Sequence, residues 1–254
     1  MNIPVHTLSD IVTKHVMPSA LATEALPLLI QELGADNGSL MLLSEGRVVH
    51  KVLAARDSFA EVAEHRVQAV LTEGLAGWVV KHRQGALASD TELDERWISI
   101  GTSNIASALV VPLMSRGCVV GVLSLHHGQR SYFHEAHLAR AAELAHLVAP
   151  AFEMALMVES TLASVSALCR ESAQPSVVLD WQGQVVAVNA AMQALDIAWE
   201  RAQMAQTLLP RELQVDSARL CDWEGARPLA SLPYAAVAVP FVGAGAWVKL
   251  VARS

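Results

Sequence analysis

The sequence is short of charge and short of rings. Charged residues make up 17% of its 254 residues and aromatics 5%, against 53% apolar residues. That much apolar material excludes a disordered chain and predicts a core built mainly from Leu, Val and Ala. Basic clusters are missing too. Net charge is −7, and Arg201, Arg211 and Arg219 are scattered among acids. A nucleic-acid surface needs grouped Lys and Arg to displace counterions from phosphates, so no nucleic-acid partner is expected. Cysteine is sparse: Cys118, Cys169 and Cys221 lie far apart, are odd in number and form no CxxC pair. This fits reduced thiols in the cytoplasm. No basic, apolar leader opens the chain. Two stretches mimic membrane spans. The first, 136–157, is interrupted by His137, Arg140, Glu143, His146, Pro150 and Glu153; the second, 235–248, is too short and is broken by Pro240, Gly243 and Gly245. No membrane partner is expected. Nucleophile elbows, phosphate-cradling loops and HExxH pairs are absent, so the expectation is that the protein is not an enzyme.

The patterns that are present predict an α+β chain. Leu8, Ile11, Val12 and Val16 fall on one face of a helix over 7–17, and Thr7 with Asp10 resembles a capping arrangement. A second helix is predicted over 19–33, bent at Pro27 and stopped at Gly34. Strands are predicted at 39–43 and 48–54, joined by Ser44-Glu45-Gly46-Arg47. Residues 59–71 read as helix at the start and as strand at the end, and 75–83 reads as helix. After a short apolar run at 85–89 and a polar loop at 90–97 come two strands, 106–114 and 118–125, apolar on both faces and therefore covered on both. A helix is predicted from His134 to about Glu171, bent at Pro150. Beyond it, strand-like runs at 177–179, 185–188, 234–242 and 247–251 flank one or two helices over 190–209. A domain boundary is expected near Gln174-Pro175.

The stretch from about 19 to 157 resembles a GAF domain. The resemblance rests on Gly74-Leu75-Ala76-Gly77-Trp78-Val79, then Asp90-Thr91 with Asp94-Glu95-Arg96-Trp97. It continues through 107–113 and 117–123 to Phe133 ahead of the last helix. It implies an antiparallel sheet with helices on one face and a lidded pocket on the other, and homodimers formed through flanking helices. Residues 174–254 resemble a shortened PAS domain, on the run from Pro175 to Met192 with its Asp180-Trp181-Gln182-Gly183 turn and Asn189. The expected organisation is an N-terminal helix (1–18), a GAF domain (19–157), a connecting helix (158–173) and the PAS-like domain.

Within the implied pocket, Trp78, Trp97, Leu109, Val111, Val120 and Val122 are the expected apolar wall. Asp90, Asp94, Arg96, Ser103, Asn104 and Ser107 are the expected polar points. The bland alternative is that Asp94 and Arg96 brace the lid and Trp97 plugs the space. Specialised sites lack a member. His126, His127, His134 and His137 do not converge as zinc ligands should. Haem needs a histidine from the lid, which holds none, and His82 reads as a core or edge residue. Cys118 has no neighbouring histidine and reads as a small buried apolar residue rather than a bilin attachment. Phe133 is followed by His134-Glu135, without the acids of cyclic-nucleotide-binding relatives. No cofactor and no metal are expected.

The helical pattern after His134 carries more apolar surface than one domain covers. Leu144, Val148, Phe152, Leu162 and Val165, with Leu8, Ile11 and Val12, are expected at a dimer interface. The functional expectation is a sensor that binds a small molecule or a signalling protein. No kinase, cyclase, phosphodiesterase or DNA-binding module is recognised after it, so its signal is expected to pass by protein contact. The alternatives are a ligand-free scaffold and, further off, a free methionine sulfoxide reductase.

Overall fold

The computed structural model describes residues 5–44, 48–54, 64–99, 104–180, 182–195, 226–228, 234–241 and 245–252. The chain divides into two compact units, Met1–Leu156 and Met157–Ser254.

The first unit opens with α1 (Val5–Lys14) and α2 (Pro18–Glu32). Pro18 begins α2, where a missing N–H costs nothing. Leu21, Ala22, Ala25, Leu26 and Leu29 are buried along it at helical spacing. Gly34 follows in the left-handed conformation (φ 63°), the stop that the sequence predicts. Strands β1 (Asn37–Ser44) and β2 (Val48–Ala54) pair antiparallel. Helices α3 (Glu64–Thr72) and α4 (Leu75–His82) come next, then β3 (Ala86–Ala88), β4 (Ser107–Ser115) and β5 (Cys118–His127). The ambiguous run at 59–71 is helix from Glu64 onward; its earlier part lies outside the described residues. The sheet order is β2-β1-β5-β4-β3.

This sheet is covered on both faces. One face meets α1, α2 and the first part of α5 (Glu135–Glu171), through Leu40, Leu42, Leu109, Val111, Leu113, Val120, Leu123 and Leu125. The other face meets α3, α4 and the loop after β3, through Met41, Leu43, Ala108, Val110, Val119 and Val122. Gly77 makes the second cover possible. A Cβ there would run into the backbone of Leu71 and Thr72, so α4 can approach the end of α3 only with glycine at this place.

The helices expected at a dimer interface are largely consumed by this core. Leu8, Ile11, Leu144, Val148 and Phe152 are buried in the helix-side cluster of their own chain, and Val12 packs against it half-buried. The physical reason is the sheet itself, whose apolar helix-side face must be covered. Leu162 is buried and Val165 half-buried. The large apolar side chains that α5 leaves exposed are Met154, Met157 and Leu168. By length and composition α5 could cross a membrane, yet its residues from Ala141 to Phe152 supply core to the first unit.

The second unit contains β6 (Ser176–Asp180), β7 (Val185–Val188), a short α6 (Ala190–Gln193), β8 (Ala226–Pro228), β9 (Tyr234–Phe241) and β10 (Gly245–Ala252). All are antiparallel in the order β7-β6-β10-β9-β8. Strand β8 was not anticipated by the sequence patterns. Residues 196–209, expected to continue as helix, lie outside the described residues. Val177, Leu179, Ala236, Val248 and Leu250 form the core with Met192 of α6. Asn189 ties the two together. Its Oδ1 accepts from the amides of Met192 (2.9 Å) and Ser176 (3.0 Å), while its Nδ2 donates to the carbonyls of Ser172 and Gln174.

Candidate functional site

The lid-side face of the first sheet carries a row of polar side chains. In the antiparallel pairing of β1 and β5, Asn37 stands opposite His126 and Ser39 opposite Ser124. Side chains two apart on a strand share a face, so these four lie together at one end of the sheet. Met41 and Val110 continue that face with apolar surface. Val70 of α3, Leu75 and Ala76 of α4, and Trp97, Ile98 and Ile105 of the lid complete the wall. Together they surround a cavity of about 60 Å³.

Trp97 is the lid's principal contribution. Its ring meets His126 edge-on, with centroids 5.5 Å apart at 83°. The loop that presents it is braced from several sides. Arg96 Nε donates to Asp94 Oδ1 (2.9 Å) and Nη2 to Asp94 Oδ2 (2.7 Å), and Nη2 also reaches the Leu87 carbonyl. These charge-assisted bonds hold the Asp94 carboxyl below its usual range and raise the Arg96 guanidinium in turn. The guanidinium also lies 5.2 Å from the Trp78 ring centroid, and Trp78 stacks on His82. Thr91 is buried and donates from both its amide and its hydroxyl to the backbone of Ala106 and Ile105. Asp90 pairs with Arg130, which also reaches Glu92.

Of the residues expected at the pocket, Trp97 lines this cavity. Leu109, Val111 and Val120 belong to the helix-side core, and Val122 to the lid-side layer beside the cavity. Strand β4 is apolar on both faces, so alternation alone does not say which set faces which cover. Asp90, Asp94 and Arg96 line a separate open depression with Leu87, Leu93 and Glu95. Ser107 is buried and donates to the Gln129 carbonyl, pinning the turn after β5. Asn104 is exposed, and Ser103 lies outside the described residues. The sequence reading missed Asn37, Ser39, Ser124 and His126. Their signal was available: a pair of polar residues two apart at one end of each of two largely apolar strands.

No group of three or more potential metal ligands occurs among the described residues. His127 instead stacks on Tyr132 (3.6 Å between centroids) and approaches Asp36, while His134 lies over His137. Burial, with the neighbouring His134, holds the His137 imidazole below its usual range. Cys118, expected to be buried, is exposed, because it is the first residue of β5, directly after the β4–β5 turn. Cys169 is buried in the second unit, where burial pushes its thiol up. Neither lines the cavity.

Comparison with known proteins agrees with this architecture. The GAF domain family model matches residues 18–153. No curated protein sequence matches significantly. Among solved structures, the chain is similar to the GAF domain of an Acinetobacter phosphoenolpyruvate-protein phosphotransferase, at 20% identity over 61% of this chain and 93% of that one, with a TM-score of 0.50. It is also similar to the free methionine-R-sulfoxide reductase of Neisseria meningitidis in complex with its substrate (19% identity, 60% and 88%, TM-score 0.47). A third is the GAF domain of a phosphoenolpyruvate-protein phosphotransferase from Coxiella burnetii (17% identity, 61% and 94%, TM-score 0.47). At these identities the likenesses bear on the fold alone. With its family model covering more than half of its length, the chain belongs to the GAF domain family.

Proposed function

We infer that this protein is a non-enzymatic cytoplasmic regulator whose GAF domain senses a small molecule and passes the signal to a protein partner. Membership of the family supports a sensory or regulatory role in general. The observation that carries the specific reading is the cavity, with its polar row on β1 and β5 and its aromatic lid residue. Strand β5 gives it an output. Ser124 and His126 face the cavity, while Leu123 and Leu125 of the same strand pack in the cluster that holds Leu144 and Val148 of α5. His127, next along, stacks on Tyr132 just ahead of α5. A ligand that favours one setting of β5 would bias α5 by population shift.

Three further parts belong to the same proposal. The second unit is read as a shortened PAS-like domain, supported by the Asn189 clasp and by a strand order that repeats that of the first sheet. Self-association is assigned to the exposed side of α5, where Met154, Met157 and Leu168 recur at spacings of three and eleven. The absence of enzymatic chemistry is proposed on the ground that neither described cysteine lines the cavity. Neither nucleic acid nor a membrane has a part in this reading.

Native mass spectrometry of the purified chain tests it. A small molecule released on denaturation, or a mass shift with a metabolite extract, is the expected result. An empty protein that responds to no extract favours the ligand-free scaffold, for which the small size of the cavity speaks. Turnover of free methionine sulfoxide would overturn the non-enzymatic assignment.

A further inference from the structure

We propose that the cavity selects a small uncharged ligand with one hydrogen-bonding end and one apolar end, and that Trp97 sets its size limit. The inference rests on the sensing assignment and deepens it.

The chemistry of the wall carries the argument. Ser39 and Ser124 present hydroxyls along one edge, beside the amide of Asn37 and the imidazole of His126, and a hydroxyl suits either a donor or an acceptor. Opposite in character are Leu75 and Val110, both buried and apolar. Among the described lining residues there is no Asp, Glu, Lys or Arg. Of the charges just before Trp97, Asp94 and Arg96 are bonded to each other and Glu95 is exposed beside the open depression. An ion entering this space would shed hydration and meet no carboxylate, ammonium or guanidinium among the described lining residues, a cost that a neutral molecule escapes. A zwitterionic amino acid would pay it twice.

Size follows from the volume. About 60 Å³ is well below the ~150 Å³ of an apolar cavity that accepts benzene, so the fit is to a molecule of a few heavy atoms. The indole of Trp97 is the part of the wall with most bulk to remove, and it is half-buried on a loop rather than fixed within the sheet.

The test uses the full chain and three probes: acetamide, acetate and benzamide. Binding is read by ligand-observed NMR and by tryptophan emission. The wild type is expected to bind acetamide at least tenfold more tightly than acetate and to reject benzamide. Trp97→Ala is expected to accept benzamide, and Val110→Phe, which fills the space, to lose acetamide. The comparison of amide with carboxylate needs no variant, so it stands even if a substitution fails to fold. Equal or tighter binding of acetate, lost in Val110→Phe, overturns the ligand class while leaving a sensing cavity. Benzamide binding by the wild type overturns the size limit. Binding of no probe by either wild type or Trp97→Ala overturns the inference, and an empty native mass spectrum beside it removes the sensing assignment as well.

Discussion

Trp97 and His126 meet edge to face, 5.5 Å apart, one from the lid loop and the other from the end of β5. The contact joins a loop to the sheet it covers, and both partners line the cavity. Aromatic pairs in this geometry add about 0.5–1.5 kcal/mol beyond the area they bury. His126→Ala is therefore expected to lower stability by about that amount in denaturant titration and to shift the emission of Trp97. An unchanged spectrum would mean that the lid is held by its other braces, at Asp94–Arg96, Thr91 and Asp90–Arg130, without this contact.

Gly77 reverses the usual helix rule. Alanine inside a helix normally gains about 1 kcal/mol over glycine. Here its methyl would strike the Leu71 carbonyl, and backbone cannot swing aside as a side chain can. Gly77→Ala is expected to cost about 1–3 kcal/mol, the range of overpacking. It should also weaken ligand binding, because α3 and α4 carry Val70, Leu75 and Ala76 of the cavity wall. A thermal melt that rises rather than falls would show that the two helices part without penalty.

Asp94 gives the lid a dependence on acid. Hydrogen bonds from Arg96 depress its folded-state pKa, while the unfolded chain has the ordinary value of about 3.9. The brace thus contributes its stability above the unfolded value and loses it as pH falls through the lower, folded one. Carbon-detected NMR titration of the Asp94 carboxyl is expected to show a midpoint below the ordinary one. Arg96→Met should return that midpoint upward. A midpoint that Arg96→Met leaves in place would assign the depression to some other cause.

The strands and helices of the first unit were legible because their patterns are local: Pro18 at a helix start, Gly34 at its stop, and strict apolar runs in β4 and β5. The cavity was legible only in part. In β4, Leu109 and Val110 are equally buried, and what separates them is which cover each one meets. That is settled by α5, from sequence more than 25 residues away, and not by anything within the strand. The helix-side core shows the same limit. Phe152 and Leu144 look like interface residues when the helix is read alone, and become core once the sheet needs a cover. Asn37 and His126 are distant in sequence and become neighbours only through the pairing of β1 with β5.

In the second unit, Asn189 caps α6 and fastens it to β6 with one side chain. Losing a cap costs about 0.5–2 kcal/mol, and the buried Ser176 amide would also lose its partner, at about 1–3 kcal/mol. Asn189→Ala is expected to destabilise by roughly 1.5–5 kcal/mol in all. Hydrogen exchange should quicken at Ser176 and Met192 while amides of β4 and β5 stay protected. Uniform loss of protection would mean that the two units unfold as one.

Phe152 and Met154 are two positions apart on α5 and face different tasks. Phe152 is fully buried, and its removal to Ala leaves a cavity in the helix-side core, expected to cost about 3–5 kcal/mol. Met154 and Met157 are 51% and 50% exposed, so Met154→Ser with Met157→Ser should change the stability of the isolated chain by no more than about 0.5 kcal/mol. If self-association uses this side of α5, the double substitution removes two of its apolar contacts and sedimentation should show dissociation at concentrations where the wild type remains dimeric. Stability and association are then separable on one helix, because the surface that completes the GAF core and the surface left for a partner are different faces of it. A wild type that sediments as a monomer at every concentration would leave Met154 and Met157 without that role, and a double variant that stays dimeric would move the interface elsewhere.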